Sequence, residues 1–267
     1  MFDPAPYRRV AVASTFSPRF EQVLAEAKRV RDHFGAELCL IYVGNQSGET
    51  SAKFARALER LSLPKDSAIH YEQGDPATAI LRAIEHNGVD VIVAGALEKE
   101  VVLHPFLGNV ARRLLREGRS SVILFTHPAR QPEPLRKIVF LAEYSDHSSN
   151  SLRRTLHLAA REKSECVYVV RLITTFDEAR AKQDGTPSEP DEDVKLEHFV
   201  LALGHTDVPI EVRCIRGNTG FAAADFVKSV EADLLVVPLD PAKNAGQLPP
   251  TLEWLTDVIP CNLWLIR

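Results

Sequence analysis

The sequence predicts an α/β fold: two tandem copies of a doubly wound, five-stranded parallel-sheet module. Two observations predict it. Short continuous apolar runs alternate with stretches of helical periodicity along the chain. Strand alternating with helix builds right-handed βαβ units on a parallel sheet. The order then repeats. Residues 9–17 line up with residues 137–145, and residues 36–38 line up with 164–166 at the same offset. Gly74 to Asp90 and Gly217 to Asp233 share one internal spacing. A repeat this long exceeds a solenoid unit and suits a whole domain.

In the first copy the strand-like runs are residues 10–14, 38–43, 68–72, 89–95 and 121–126. They are short and rich in Val, Ile and Leu, as strands covered on both faces are. Between them apolar residues recur at helical spacing. Phe20, Val23, Leu24, Ala27 and Val30 form one such set, and Ala77, Ile80, Leu81 and Ile84 another. Leu107, Val110, Ala111, Leu114 and Leu115 form a third. Asp75-Pro76 supplies an N-cap and a proline at the first helical position. Gly35 and Gly88 fit C-terminal caps. Three prolines between 128 and 134 mark a linker, dividing the chain into domains at 1–130 and 135–267. The second copy places its strands at 138–142, 166–171, 210–215, 233–238 and 262–266. Its largest change is an acidic, proline-containing connection at 174–193, expected to be a mobile loop.

Composition narrows the function. The 267 residues are 45% hydrophobic and 25% charged, an ordinary globular mix. A net charge of −4 argues against a nucleic-acid partner. No apolar run reaches the roughly 20 residues of a membrane helix, and the N-terminus lacks an apolar signal core. A cytoplasmic protein without a membrane partner is the expectation. Cys39, Cys166, Cys214 and Cys261 form no C-x-x-C pair and read as reduced thiols without a metal.

Open parallel sheets bind ligands at the carboxyl ends of strands, where strand order reverses. The loops after strands one and four are therefore the candidates. Strand four ends at Gly95, and Gly108-Asn109 opens a helix expected at 110–116. A helix N-terminus offers free N–H groups and a positive dipole end to phosphate.

These residues resemble the universal stress protein family in its tandem form, over nearly the whole chain. Residues 9–18 look like the family's K-I-L-V-A-T-D-F-S-P opening. Gly74-Asp75-Pro76 with residues 90–95 resembles its G-x-P…D-L-I-V-v-G segment. Nucleotide-binding members carry G-x2-G-x9-G-[S/T], and Gly95, Glu98, Gly108 and Asn109 stand at those places. The resemblance implies an adenine nucleotide α-hydrolase-like sheet in the order 3-2-1-4-5. It implies that the copies pair through their fifth strands as a pseudo-dimer. It also implies a weak site for ATP or AMP in the first copy, drawn from Ser14, Thr15, Val43, Gly95, Glu98, Gly108, Asn109 and Val110. Val43 matches the position whose backbone meets adenine. Three positions depart from the pattern: Glu98 replaces glycine, Asn109 a hydroxyl residue, and Thr15 the strand-one Asp. The second copy keeps an acid, Glu143, but has Pro238 and Pro241 in its strand-four loop. Proline lacks an N–H and fixes φ, so this copy reads as a structural or docking half.

The resulting expectation is a non-enzymatic stress-response or regulatory protein. A homodimer and an unidentified protein partner belong to the same expectation. A protein-binding scaffold without a nucleotide site is one alternative. A nucleotide hydrolase is another, resting on fold analogy alone. Ser145-Asp146-His147 are adjacent and cannot converge as a hydrolase triad, so Ser145 or Asp146 reads as a helix cap. No G-x-S-x-G elbow, Walker A loop or S-G-G-x-D-S loop occurs. His104 reads as a solvated loop residue, and Arg112, Arg113 and Arg116 as a solvated helix face. One continuous sheet, or two unlike halves, would count against a matched pair of modules.

Overall fold

The computed structural model describes residues 7–96, 108–173, 192–217, 219–244, 248, 249, 252, 253, 255 and 260–267. Its first half runs β1 (Arg9–Ser14), α1 (Phe20–Phe34), β2 (Glu37–Val43), α2 (Gly48–Arg60) and β3 (Ala68–Glu72). It continues with α3 (Pro76–His86), β4 (Val91–Gly95), α4 (Asn109–Glu117) and β5 (Ser121–Phe125). The second half runs β6 (Lys137–Leu141), α5 (Asp146–Glu162), β7 (Cys166–Ile173), α6 (Glu192–Leu201) and β8 (Ile210–Arg216). It closes with α7 (Thr219–Ser229), β9 (Leu234–Pro238), the single turn α8 (Pro241–Asn244) and β10 (Asn262–Ile266).

Local chemistry sets the helix ends. Asp75 caps α3, its carboxylate accepting from Thr78 N at 3.0 Å, with Pro76 at the first position. Gly35 ends α1 in the left-handed region, at φ 63. Asn87 caps α3 at its C-terminus, and Gly88 follows it at φ 58. Ser145 caps α5 by accepting from Ser148 N at 3.1 Å. Helix α2 has no counterpart in the sequence reading. It begins in a capping box of Ser47 and Thr50 and buries only Phe54, Ala57 and Leu58.

The ten strands form one hydrogen-bonded sheet in the order β3-β2-β1-β4-β5-β10-β9-β6-β7-β8. It is continuous, yet its direction reverses once. Every neighbouring pair is parallel except β5 and β10, which run antiparallel with Leu124 opposite Leu263 and Ile123 opposite Trp264. Each side of that reversal carries the order 3-2-1-4-5. Side chains alternate between two apolar layers. One takes Val10, Val12, Leu40, Val93 and Phe140 against α1, α2, α5 and α6. The other takes Ala11, Ile41, Ile92 and Val139 against α3, α4 and α7.

Polar contacts flank the reversal. Thr126 N and Oγ1 donate to Asn262 Oδ1 at 2.9 and 3.1 Å. Arg267 donates to Ser120 O at 3.2 Å and to the last-turn carbonyl of α4, Leu115 O. The fully buried Trp264 donates from Nε1 to Tyr7 Oη at 3.2 Å.

The repeat also has a polar signature. Asp90 Oδ2 accepts from Arg8 N and Arg9 N at 2.7 and 2.8 Å. Asp233 Oδ2 accepts from Arg136 N and Lys137 N at the same two distances. Each aspartate ties the start of its half's first strand to the start of its fourth. Replacing Asp90 or Asp233 by Ala is expected to cost about 1–3 kcal/mol, as charge-assisted bonds to backbone do. A lower urea midpoint at constant m-value checks it.

Candidate functional site

Strands β2, β1 and β4 are adjacent, and strand order reverses between β1 and β4. The chain leaves β1 into α1 on one face, and α4, the helix that follows β4, packs on the opposite face. A crevice at the carboxyl edge is the consequence. Register brings the expected residues to that edge. Ser14 pairs with Tyr42, Val43 pairs with Glu72, and Gly95 with Phe125. Ser14, Val43 and Gly95 thus stand at the ends of three strands spaced by about 4.8 Å. Ser14 is buried, its Oγ turned to Val12 O at 3.4 Å, while Thr15 beyond it is exposed.

Helix α4 enters from the other side. It starts at Asn109, one residue before the sequence-based expectation, with Gly108 as N-cap in extended conformation. Among the described residues no side chain caps it, and no acid occupies its first turn. The caps of α2, α3 and α5 are filled by Ser47, Asp75 and Ser145. Asn109 is exposed, and Val110 and Val43 pack against the same apolar layer. Glu98 and His104 lie outside the described residues, as does 174–191 of the acidic connection.

Gly95 has a cause unrelated to ligand. A Cβ there would sit 2.8 Å from Val23 Cγ2 of α1, so close helix packing already demands glycine. Arg19, which sequence reasoning passed over, closes the same edge. It donates to Ala96 O and Thr126 O, both at 3.0 Å, bracing the ends of β4 and β5. Beside it Phe16, Phe20, Tyr42, Phe54 and Tyr71 form an aromatic cluster with ring centroids 4.7–6.2 Å apart. These rings fix where the chain leaves β1.

Arg113 is not a free face residue. It donates to Asp75 Oδ2 at 2.7 Å and grips Glu117 at 2.8 and 2.9 Å. The Thr78 hydrogen bonds and the Arg113 guanidinium hold the Asp75 carboxyl below the usual carboxylate range. Arg113 therefore ties α4 to the cap of α3.

The second half closes its equivalent edge with its own groups. Asp240 Oδ1 accepts from Ala242 N at 2.9 Å, placing a carboxylate on the start of α8. Leu239 N donates to Ile266 O at 2.7 Å, and Pro238 and Pro241 have no N–H. Lys243 Nζ lies 3.7 Å from Glu143 Oε2, so the retained strand-one acid has a cation beside it. His147 faces Ile266 O at 3.2 Å and Ser151 Oγ at 3.5 Å. Among the described residues no group of three or more His, Cys, Asp or Glu is placed to hold a metal. No helix among them is long and apolar enough to cross a membrane. Burial pushes the Cys39 thiol up to about 11.

A doubly wound parallel sheet whose strand order reverses between β1 and β4 defines an α/β module of the adenine nucleotide α-hydrolase-like fold. Residues 6–126, most of the first half of the chain, match the model of the universal stress protein family. Solved structures share the whole architecture. A universal stress protein from Archaeoglobus fulgidus DSM 4304 aligns over 97% of this chain and 96% of its own, with TM-score 0.67 and 13% identity. A putative universal stress protein from Pseudomonas aeruginosa UCBPP-PA14 aligns over 97% and 93%, with TM-score 0.72 and 13% identity. A functionally unknown protein from Pseudomonas aeruginosa PAO1 aligns over 97% and 92%, with TM-score 0.70 and 14% identity. At these identities the likeness is one of fold. No curated protein matches the chain.

Packing at Gly95 makes a prediction. Gly95→Ala is expected to destabilise by about 1–3 kcal/mol, the usual cost of overpacking. The cost should shrink in a Val23→Ala background, and a double-mutant cycle by chemical denaturation measures that coupling.

Proposed function

We propose that the first half binds the phosphate of an adenine nucleotide, ATP or AMP, weakly and without turnover. The chain then acts as a cytoplasmic, ligand-sensing regulator in a stress response. The observation that carries this reading is the α4 N-terminus. Among the described residues no side chain caps it, and Gly108 stands at its start. A phosphate there gains from the helix dipole and from backbone donors. Val43 supplies an edge backbone for the base, and Thr15 an exposed hydroxyl for the ribose. Affinity is limited by chemistry. Thr15 cannot replace a carboxylate's two acceptors. Glu98 brings a negative charge into the loop, costing about 1 kcal/mol against a phosphate at ~4 Å in water.

A second reading, a scaffold without nucleotide, has its own support. Gly95 is explained by Val23, and Arg113 is spent on Asp75 and Glu117.

Titration calorimetry separates the two. ATP and AMP are expected to bind with Kd on the order of 0.1–1 mM. Gly108→Asp puts a carboxylate on the same N–H groups, so it should abolish the heat while leaving Tm unchanged or slightly raised. No heat from the parent protein at millimolar ligand removes the nucleotide and leaves the scaffold. In that case Glu98→Gly with Asn109→Ser distinguishes a silenced site, which gains binding, from one never present.

A further inference from the structure

Four ionisable side chains meet where α1 of the first half packs on α5 of the second. Arg29 Nη2 lies 2.7 Å from Glu26 Oε2, and Arg29 Nη1 lies 3.4 Å from Glu162 Oε2. Glu162 Oε1 lies 2.8 Å from His33 Nε2. Both glutamate side chains are only 4% exposed, and that of Arg29 only 11%. The linker closes the cluster. Leu135 N donates to Glu162 Oε2 at 3.1 Å, and Ala129 N to Glu26 Oε1 at 3.4 Å. Arg29 also donates to Glu133 O and lies 5.4 Å from the centre of the Phe125 ring of β5. From α5, His157 Nε2 meets His33 O at 3.0 Å while its ring stacks on Phe34.

The charges do not balance. Two carboxylates and one guanidinium sum to −1. One added proton on Glu26 brings the sum to zero. An uncompensated buried charge is strongly unfavourable, so the balanced state packs best. We propose that Glu26, Arg29, His33 and Glu162 form a one-proton latch that clamps the two halves on this face and loosens as pH rises above the ordinary carboxyl range.

The directions of the two carboxyls agree with this geometry. Burial raises Glu26 despite Arg29 and the Ala129 N–H. A raised carboxyl contributes stability below its unfolded value and loses it as pH rises through its folded value. Burial also pushes Glu162 up, but His33, Arg29 and the Leu135 N–H outweigh it and hold it below the ordinary range. A lowered carboxyl contributes above its unfolded value and loses that as pH falls through its folded value. The two windows oppose each other, so the junction is tightest on the mildly acidic side.

Hydrogen exchange on the full chain tests the latch, with intrinsic rates divided out. Protection of the Leu135 amide is expected to fall as pH rises from about 4.5 to about 8, by about tenfold for every factor of ten between the Glu26 acid constants of the unfolded and folded chain. The Val12 amide, in the middle of β1, should keep its protection. Glu26→Gln leaves the remaining charges balanced without the extra proton, so Leu135 should then be flat over the same range. An unchanged wild-type Leu135, a drop shared equally by Val12, or a Glu26→Gln protein that keeps the wild-type fall would each overturn the proposal. If Glu26→Gln does not fold, the wild-type profiles of Leu135 and Val12 decide alone.

Discussion

Strands β5 and β10 carry Val122, Ile123, Leu124 and Leu263, Trp264, Leu265, all buried and essentially without water contact. Neither strand could stand as an open edge. Each would present unpaired backbone groups along an apolar ribbon, the arrangement that templates aggregation. Their mutual pairing removes both edges at once and sets the rest of the molecule. It fixes the reversal of the sheet and brings α1 against α5. It also threads Arg267 onto the end of α4. The two-module architecture is a covalent property, since both partners of the pairing lie on one chain.

Duplication of the backbone has not produced duplication of the site. Both halves form a crevice at the end of their first strand, and both anchor that strand with an aspartate, Asp90 or Asp233. The difference lies in what occupies the helix that follows the fourth strand. Helix α4 is nine residues long and begins at Gly108, a residue without a side chain. Helix α8 is one turn long and begins on its own Asp240 carboxylate. That carboxylate accepts from Ala242 N, and Lys243 sits beside Glu143, the acid just past the second half's first strand.

Strands were legible because an interior parallel strand is a continuous apolar run, and the Asp75-Pro76 and Gly35 boundaries because capping chemistry is local. Helix α2 was not legible: its buried positions are Phe54, Ala57 and Leu58, too few to establish a period, and its first turn is polar. Gly95 looked like part of a phosphate loop, but the atom that requires it, Val23 Cγ2, sits 72 positions earlier in another element. Arg19 gave no signal because both its acceptors are backbone carbonyls from distant strands. The Glu26, Arg29, His33 and Glu162 cluster was invisible for the same reason. Each residue is an ordinary helix-surface type until the fold sets α1 on α5.

The reversal at β5 and β10 carries one more consequence. A parallel half-sheet is polar: all its strands finish on the same rim. Because the two half-sheets run head to tail, their rims face away from each other, at opposite poles of the molecule. A small molecule held at Ser14 and Gly108 and a macromolecule resting near Glu143 and Lys243 would be out of each other's reach. Traffic at one pole leaves the other sterically untouched, and any dialogue between them has to travel through the body of the sheet.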